Sequence, residues 1–195
     1  MSLPMPAALL VGGSSRRMGR PKADLPWQGT TLAAWQAARL SRLFPEVWIV
    51  AKEGQRLPET TGRRLDEPAE DPAALHGLIR ALEEAREKVF VLAVDLPFVN
   101  DALVSRIAQG GARSAAPAFL PESEGRLQPL AAVWDAGILP EACRRRSGGL
   151  LSLTELARAV GAEVLPASAF ADLNPGGDAF RNLNTPADLT AAATA

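Results

Sequence analysis

Two hydrophobic rhythms take turns along this chain: short runs with no polar member, and stripes at helical spacing. Residues 7–11 form an unbroken apolar run that ends at Gly12 and Gly13, which predicts a buried strand. Between Thr31 and Phe44 the apolar residues Leu32, Trp35, Leu40 and Leu43 fall near helical spacing, and Pro45 follows the end. Val47 to Val50 predicts a second buried strand. From Leu75 to Glu87, Leu75, Leu78, Ile79 and Leu82 share one face and Glu83, Glu84 and Glu87 the other, which predicts an amphipathic helix. Val89 to Val94 predicts a third strand, stopping at Asp95, Leu96 and Pro97. Strands that are apolar throughout and separated by helices imply an α/β protein whose mainly parallel sheet is covered on both sides.

The second half is less regular. Leu127 to Trp134 is expected as a strand, Leu151 to Val160 as a helix, and Glu163 to Leu165 as a short strand. The segment from Pro140 to Arg144 reads as an amphipathic helix carrying Cys143. Residues 110–124 and 172–178 are rich in glycine, proline, alanine and acidic side chains and read as loops. The last six residues, 190–195, are expected to fray.

Composition narrows this picture without adding a site. At 195 residues the chain suits one domain spanning 1–195. Its 21 basic and 22 acidic residues nearly cancel, which argues against a broad electrostatic surface for nucleic acid or lipid. One cysteine excludes an internal disulfide and offers no zinc-ligand spacing, and Cys143 reads as a packing thiol. No secretory signal and no run of 18 apolar residues is visible, so a cytoplasmic protein with no membrane span is expected.

Candidate chemistry lies where two of the strands end. The stretch LVGGSSRRMGRPK, residues 10–22, follows the first strand and so lies at the carboxyl edge of the sheet, where open α/β folds bind ligands. Gly12 and Gly13 let backbone N–H groups approach a phosphate or a base edge closely. Arg16, Arg17, Arg20 and Lys22 place four cations within seven residues. A triphosphate needs both features, close donors and fixed positive charge for a departing pyrophosphate. Neither the P-loop pattern nor G-x-G-x-x-G is present, and on composition alone a glycine turn beside a solvated basic loop is the competing reading. Asp95 closes the third strand, where a carboxylate either holds Mg²⁺ or caps the following turn.

The opening stretch resembles the signature of the MobA-like nucleotidyltransferases, L-A-G-G-x-S-x-R-M-G-x-x-K. Three further segments resemble that family in order: Asp66 ahead of ALHG (74–77), VDLPF (94–98) and FRNLNTPADL (180–189). The matches span residues 8 to 189, and the asparagine pair Asn182 and Asn184 is of the kind found in the guanylyl-transferring members. The resemblance implies a three-layer Rossmann-like nucleotidyltransferase fold. It implies that Leu10, Val11, Gly12 and Gly13 line a guanine nucleotide through their backbone. Arg17 and Lys22 would neutralise the triphosphate, Asp66 would contact the nucleotide and Asp95 would bind a catalytic Mg²⁺. Asn182 and Asn184 would shape the acceptor side. GTP and molybdopterin, molybdenum-loaded, would be the substrates, with molybdoenzymes or cofactor-delivery proteins as partners. Residues 50–52 lack the asparagine that some members carry, and Ala73 or Ala74 stands where a glycine is common. A cytidylyltransferase acting on the same cofactor is the near alternative, although such a relative more often shows D-x-D-T-P in place of Asn182 to Pro186. A nucleotide-binding adaptor without catalysis is the distant alternative.

Other residues carry less. His76 reads as a packed or capping histidine, because a phosphate nucleophile is already ionised and needs no base. Arg144, Arg145 and Arg146 read as a solvated helix end, with a dock for the acceptor's phosphate as the second reading. Trp27, Trp35, Trp48 and Trp134 read as core. Residues 128–130, QPL, resemble a family segment near the substrate cleft.

Overall fold

A computed structural model describes residues 3–12, 21–68 and 73–183. The chain opens with β1 (Ala7–Leu10), then a two-residue-strand hairpin, β2 (Pro26–Trp27) and β3 (Thr30–Thr31), and α1 (Leu32–Leu43). It continues through β4 (Val47–Lys52), β5 (Arg63–Glu67), α2 (Ala74–Glu84), β6 (Lys88–Ala93) and α3 (Asp101–Arg113). The second half comprises β7 (Ala118–Ser123), β8 (Arg126–Leu127), β9 (Ala131–Asp135), α4 (Leu139–Ser147), α5 (Leu153–Ala159) and β10 (Glu163–Leu165).

The main sheet has the order β10-β7-β9-β6-β1-β4-β5, with β8 pairing to β7. β1 runs parallel to both β4 and β6, and β4 to β5, while β9 is antiparallel to both of its neighbours. The sheet is therefore mixed but mainly parallel. From β1 the chain moves outward through α1 to β4 and β5, then crosses over α2 to β6 on the other side of β1. That reversal creates a crevice at the carboxyl ends of β1 and β6, the switch point where open α/β sheets take ligands.

Strand alternation sorts the core into two layers. Ala7, Leu9 and Val11 face α1 and α3, packing in one cluster with Leu32, Ala37, Leu40, Leu103 and Ile107. Ala8 and Leu10 face the other way, into a cluster with Leu75, Leu78, Leu82, Ala142 and Leu156 of α2, α4 and α5. Helices cover both faces, so the architecture is a three-layer α/β sandwich. Among the described residues, no helix is long and apolar enough to cross a membrane.

β1, α1, β4, α2 and β6 lie within a few residues of their predicted bounds, as do α5 and β10, whereas β2, β3, β5 and the first part of α3 are not among the predicted elements. Residues 110–124, expected as a loop, are instead the end of α3 and the whole of β7. The two glycines that suggested a break are packing contacts inside the helix. A Cβ on Gly110 would stand 2.6 Å from the Phe119 ring, and one on Gly111 would stand 2.5 Å from Val133 Cβ. Pro121 is tolerated in β7 because pairing with β9 ends at Phe119, before a missing N–H would matter. The expected strand from Leu127 to Trp134 splits into β8 and β9, and the fraying tail 190–195 lies outside the described residues.

Candidate active site

At the switch point lies a cavity of about 210 Å³, bordered by Leu10, Val11, Gly12, Lys22, Glu67 and Asp95 among others. Its floor comes from the ends of β1 and β6, and its far wall from β5 and the start of α2. Lys22 begins a short 3-10 turn over residues 22–24, and its Nζ meets Asp95 Oδ2 at 2.6 Å. Both side chains are about one-fifth exposed, so solvent and ligand can reach them.

The Asp95 backbone is anchored from several directions. Val94 N–H donates to the Leu10 carbonyl at 3.0 Å, and Leu96 N–H to Ala93 at 3.2 Å. Leu183 N–H, from the C-terminal side of the chain, donates to the Asp95 carbonyl at 3.0 Å. Leu183 is fully buried while its neighbour Asn182 is exposed. Gly13, Arg17 and Asn184, expected at the site from sequence, lie outside the described residues.

The expectation that Leu10 and Val11 meet a nucleotide through their backbone is narrowed. Both line the cavity, but Val11 N–H already donates to Val50 and the Leu10 carbonyl already accepts from Val94. The Val11 carbonyl accepts from Gln55 Nε2 at 3.2 Å, while Gln55 Oε1 accepts from Lys52 N–H. A side-chain amide thus sits three residues beyond 50–52, where the family's asparagine is missing.

On the β5 side of the cavity the acidic residue is Glu67. Asp66 is exposed, and its carboxylate pairs with Arg64 at 2.7 Å. Leu65 and Glu67 share the inward face of β5, and Asp66 points outward between them. Two glycines make room for the inward carboxylate. A Cβ at Gly12 would overlap Glu67 Oε1, and one at Gly77 would lie 3.0 Å from Oε2. Glu67 is 5 % exposed. Burial pushes its carboxyl pKa above the usual value, and the nearby charge of Lys52 partly opposes that shift.

This shift has a sign that stability measurements can read. With its folded-state pKa raised, neutral Glu67 supplies stability that is present at acid pH and lost as pH rises from the ordinary carboxylate range through the raised value. Glu67→Gln is therefore expected to melt higher than the parent at pH 8, by about 1–4 °C. The two proteins should converge near pH 4.5. Thermal unfolding at both pH values checks this, and an equal gap at both would contradict it.

Among the described residues, no three His, Cys, Asp or Glu side chains cluster as a metal cage. A single accessible carboxylate beside a cation suits Mg²⁺, which keeps several waters and shares substrate phosphates instead of filling an all-protein site. The donor set therefore fits a metal that arrives with its triphosphate.

Of the remaining candidates among the described residues, only Leu130 borders the cavity. His76 is buried in α2 and does not border the cavity. Exposed Arg144 pairs with Glu141 at 2.6 Å, whereas Arg145, 11 % exposed, lies between Glu141 and Glu155 and ties α4 to α5. Trp48 and Trp134 are buried, whereas Trp27 and Trp35 are half-buried and meet edge to face at 6.0 Å. Cys143 is half-buried on α4. Leu130, in the expected cleft segment, borders the cavity.

Residues 7–162 match the family profile described as MobA-like NTP transferase domain. The chain is similar to a protein named probable molybdenum cofactor guanylyltransferase from Mycolicibacterium paratuberculosis. The two are 33 % identical over 202 residues, an alignment that covers 100 % of this chain and 98 % of that protein. A protein of the same name from Mycobacterium tuberculosis is 32 % identical over 177 residues, covering 85 % of this chain and 88 % of the relative. Among solved structures, the fold is similar to that of molybdopterin-guanine dinucleotide biosynthesis protein A from Archaeoglobus fulgidus. That match has a TM-score of 0.82 at 21 % identity and covers 96 % of each chain. It is also similar to 2-C-methyl-D-erythritol 4-phosphate cytidylyltransferase from Thermus thermophilus, with a TM-score of 0.69 at 23 % identity, covering 100 % of this chain and 98 % of that one.

Proposed function

The chain belongs to the MobA-like NTP transferase family, and from that premise we propose that it transfers GMP from Mg²⁺-GTP to the terminal phosphate of molybdopterin, carrying its molybdenum. The products are pyrophosphate and the guanine dinucleotide form of the cofactor. The observation that carries this reading is the Lys22–Asp95 pair at the switch-point cavity, with a buried carboxylate, Glu67, in the same cavity.

The two acidic groups divide the nucleotide between them. Asp95 extends from β6 and Glu67 closes β5, strands three places apart, or about 14 Å at the usual spacing. Glu67 serves the base end. Guanine presents N1–H and N2–H₂ side by side, which two carboxylate oxygens accept together, whereas cytosine presents one amino group beside an acceptor nitrogen. This favours GTP over CTP. Exposed Asp66 is left as the ion-pair partner of Arg64, and Glu67 takes the nucleotide role.

Lys22 serves the phosphate end, with Arg17 assigned the same task. An ionised oxygen of the acceptor phosphate attacks the α-phosphorus, the bond from that phosphorus to the bridging oxygen breaks, and its electrons leave with pyrophosphate. Lys22 holds charge at the departing group. Asp95 would hold Mg²⁺, which when bound neutralises phosphate charge and fixes the geometry for displacement. No proton has to be removed from the nucleophile, so buried His76 has no task. Gly12 leaves room for Glu67 at the base end, Gly13 would line the nucleotide through its backbone, and Asn182 and Asn184 would shape the acceptor side. The cytoplasm, where GTP is supplied, is the compartment for this chemistry, and molybdoenzymes or their delivery proteins would receive the product.

Pyrophosphate release with each of the four nucleoside triphosphates, in the presence of molybdopterin and Mg²⁺, tests the proposal. Release with GTP at least about 100-fold faster than with CTP is expected, the size of two charged hydrogen bonds. Release with CTP alone would replace it with cytidylyl transfer. No release with any triphosphate, despite nucleotide binding, would favour an adaptor.

A further inference from the structure

We propose that Gln36 and Arg39 of α1 act as positioning residues for Asp95, clamping the irregular loop that carries it. The inference rests on the assignment of Asp95 to the metal end of the site.

Residues 94–100 leave β6 without regular structure, so their carbonyls lack ladder partners. Three of those carbonyls are taken up by α1. Gln36 Nε2 donates to the Val94 carbonyl at 3.4 Å, immediately before Asp95. Arg39 Nη1 donates to Pro97 at 3.3 Å and Nη2 to Val99 at 2.5 Å, just after it. The guanidinium Nε faces Asp101 Oδ1 at 2.9 Å, at the first turn of α3. The clamp therefore brackets Asp95 on both sides and ties its loop to two helices.

Such a group is costly to bury. Arg39 is 3 % exposed and Gln36 is fully buried. Desolvation brings the Arg39 pKa down to about 10, with Asp101 opposing that shift and Arg42 adding to it, so the side chain is still a cation at neutral pH. The Trp35 ring lies 5.0 Å from the guanidinium carbon. An apolar side chain would pack in this interior at a smaller desolvation cost. What only a planar, multiply donating cation supplies is simultaneous attachment to two carbonyls and a carboxylate.

The test compares Arg39→Met, Arg39→Lys and Gln36→Leu with the parent. It reads kcat, KM for GTP, the Mg²⁺ concentration for half-maximal rate, thermal unfolding, and Mn²⁺ binding to the GTP-bound protein by electron paramagnetic resonance. Arg39→Met is expected to weaken Mn²⁺ binding and raise the Mg²⁺ requirement by about tenfold, with kcat down by a similar factor and KM for GTP little changed. Arg39→Lys should recover part of the loss, because an ammonium reaches one carbonyl but not the whole set. Gln36→Leu, which removes a single bond, should move the same readouts less and keeps the test open if Arg39→Met does not fold. Asp95→Asn runs as the reference. If Asp95→Asn shifts metal binding while Arg39→Met and Gln36→Leu lower only the melting temperature, the clamp is merely structural and the inference fails. If Asp95→Asn leaves metal binding unchanged, the metal assignment itself fails and the inference goes with it.

Discussion

Asp95→Ala is expected to lower kcat for pyrophosphate release by about 10³- to 10⁴-fold while the fold survives. The carboxylate is at once the proposed metal donor at the cavity and the partner of Lys22 at 2.6 Å. Its removal takes away the protein's hold on Mg²⁺ and leaves the triphosphate's charge to Lys22 and the basic loop. Phosphoryl chemistry of this kind depends almost wholly on positioning and charge, so little is left to compensate. Stability should change little, because the Lys22–Asp95 pair is partly solvated and such pairs contribute about 1 kcal/mol or less. The Asp95 backbone, held by Leu183 and by its neighbours' bonds to Leu10 and Ala93, does not depend on the side chain. Single-turnover pyrophosphate release and thermal unfolding of the same preparation check both halves. A near-normal rate in a folded variant would remove Asp95 from the metal site.

Glu67→Gln is expected to reduce kcat/KM for GTP by about 100-fold, equivalent to about 2.7 kcal/mol. The change is isosteric, so Gly12 and Gly77 still accommodate the side chain. It replaces one of the two acceptors with a donor that opposes the N–H groups of guanine, leaving a buried polar mismatch. Inosine triphosphate, which lacks the N2 amino group, separates base reading from a general loss. The parent should prefer GTP over inosine triphosphate by about tenfold, the size of one such hydrogen bond, and Glu67→Gln should lose that preference. An unchanged ratio in the variant would mean that Glu67 does not read the base. The same substitution should stabilise the protein at pH 8, because a carboxylate held with its pKa raised by burial strains the fold once ionised. Loss of affinity together with gain of stability is the combination that a merely structural residue would not show.

Long hydrophobic patterns make much of the site legible in the amino-acid sequence. β1, α1, β4, α2 and β6 each carry an unbroken apolar run or a clear stripe, and they define the switch point, with Gly12 just after β1 and Asp95 just after β6. What the patterns leave hidden is set by neighbours distant in the chain. Gly110 and Gly111 look like helix breakers until Phe119 and Val133 are seen filling the space their side chains would occupy. β5 is an edge strand written Arg-Arg-Leu-Asp-Glu, with a single apolar residue to set its phase. Counting by two from Leu65 turns Glu67 inward and Asp66 outward, but only once the segment is known to be a strand. Gln36 and Arg39 lie on an otherwise apolar stripe, and nothing nearby in the chain shows that their partners are carbonyls almost 60 residues away.

The bond from Leu183 N–H to the Asp95 carbonyl also orders events during synthesis. A ribosome adds β1, Lys22 and Asp95 well before Leu183, so this backbone support for the Asp95 loop is not made until residue 183 has emerged. A nascent chain that stops short of residue 183 therefore lacks that support, and its Asp95 loop rests on the bonds to Leu10, Ala93 and α1.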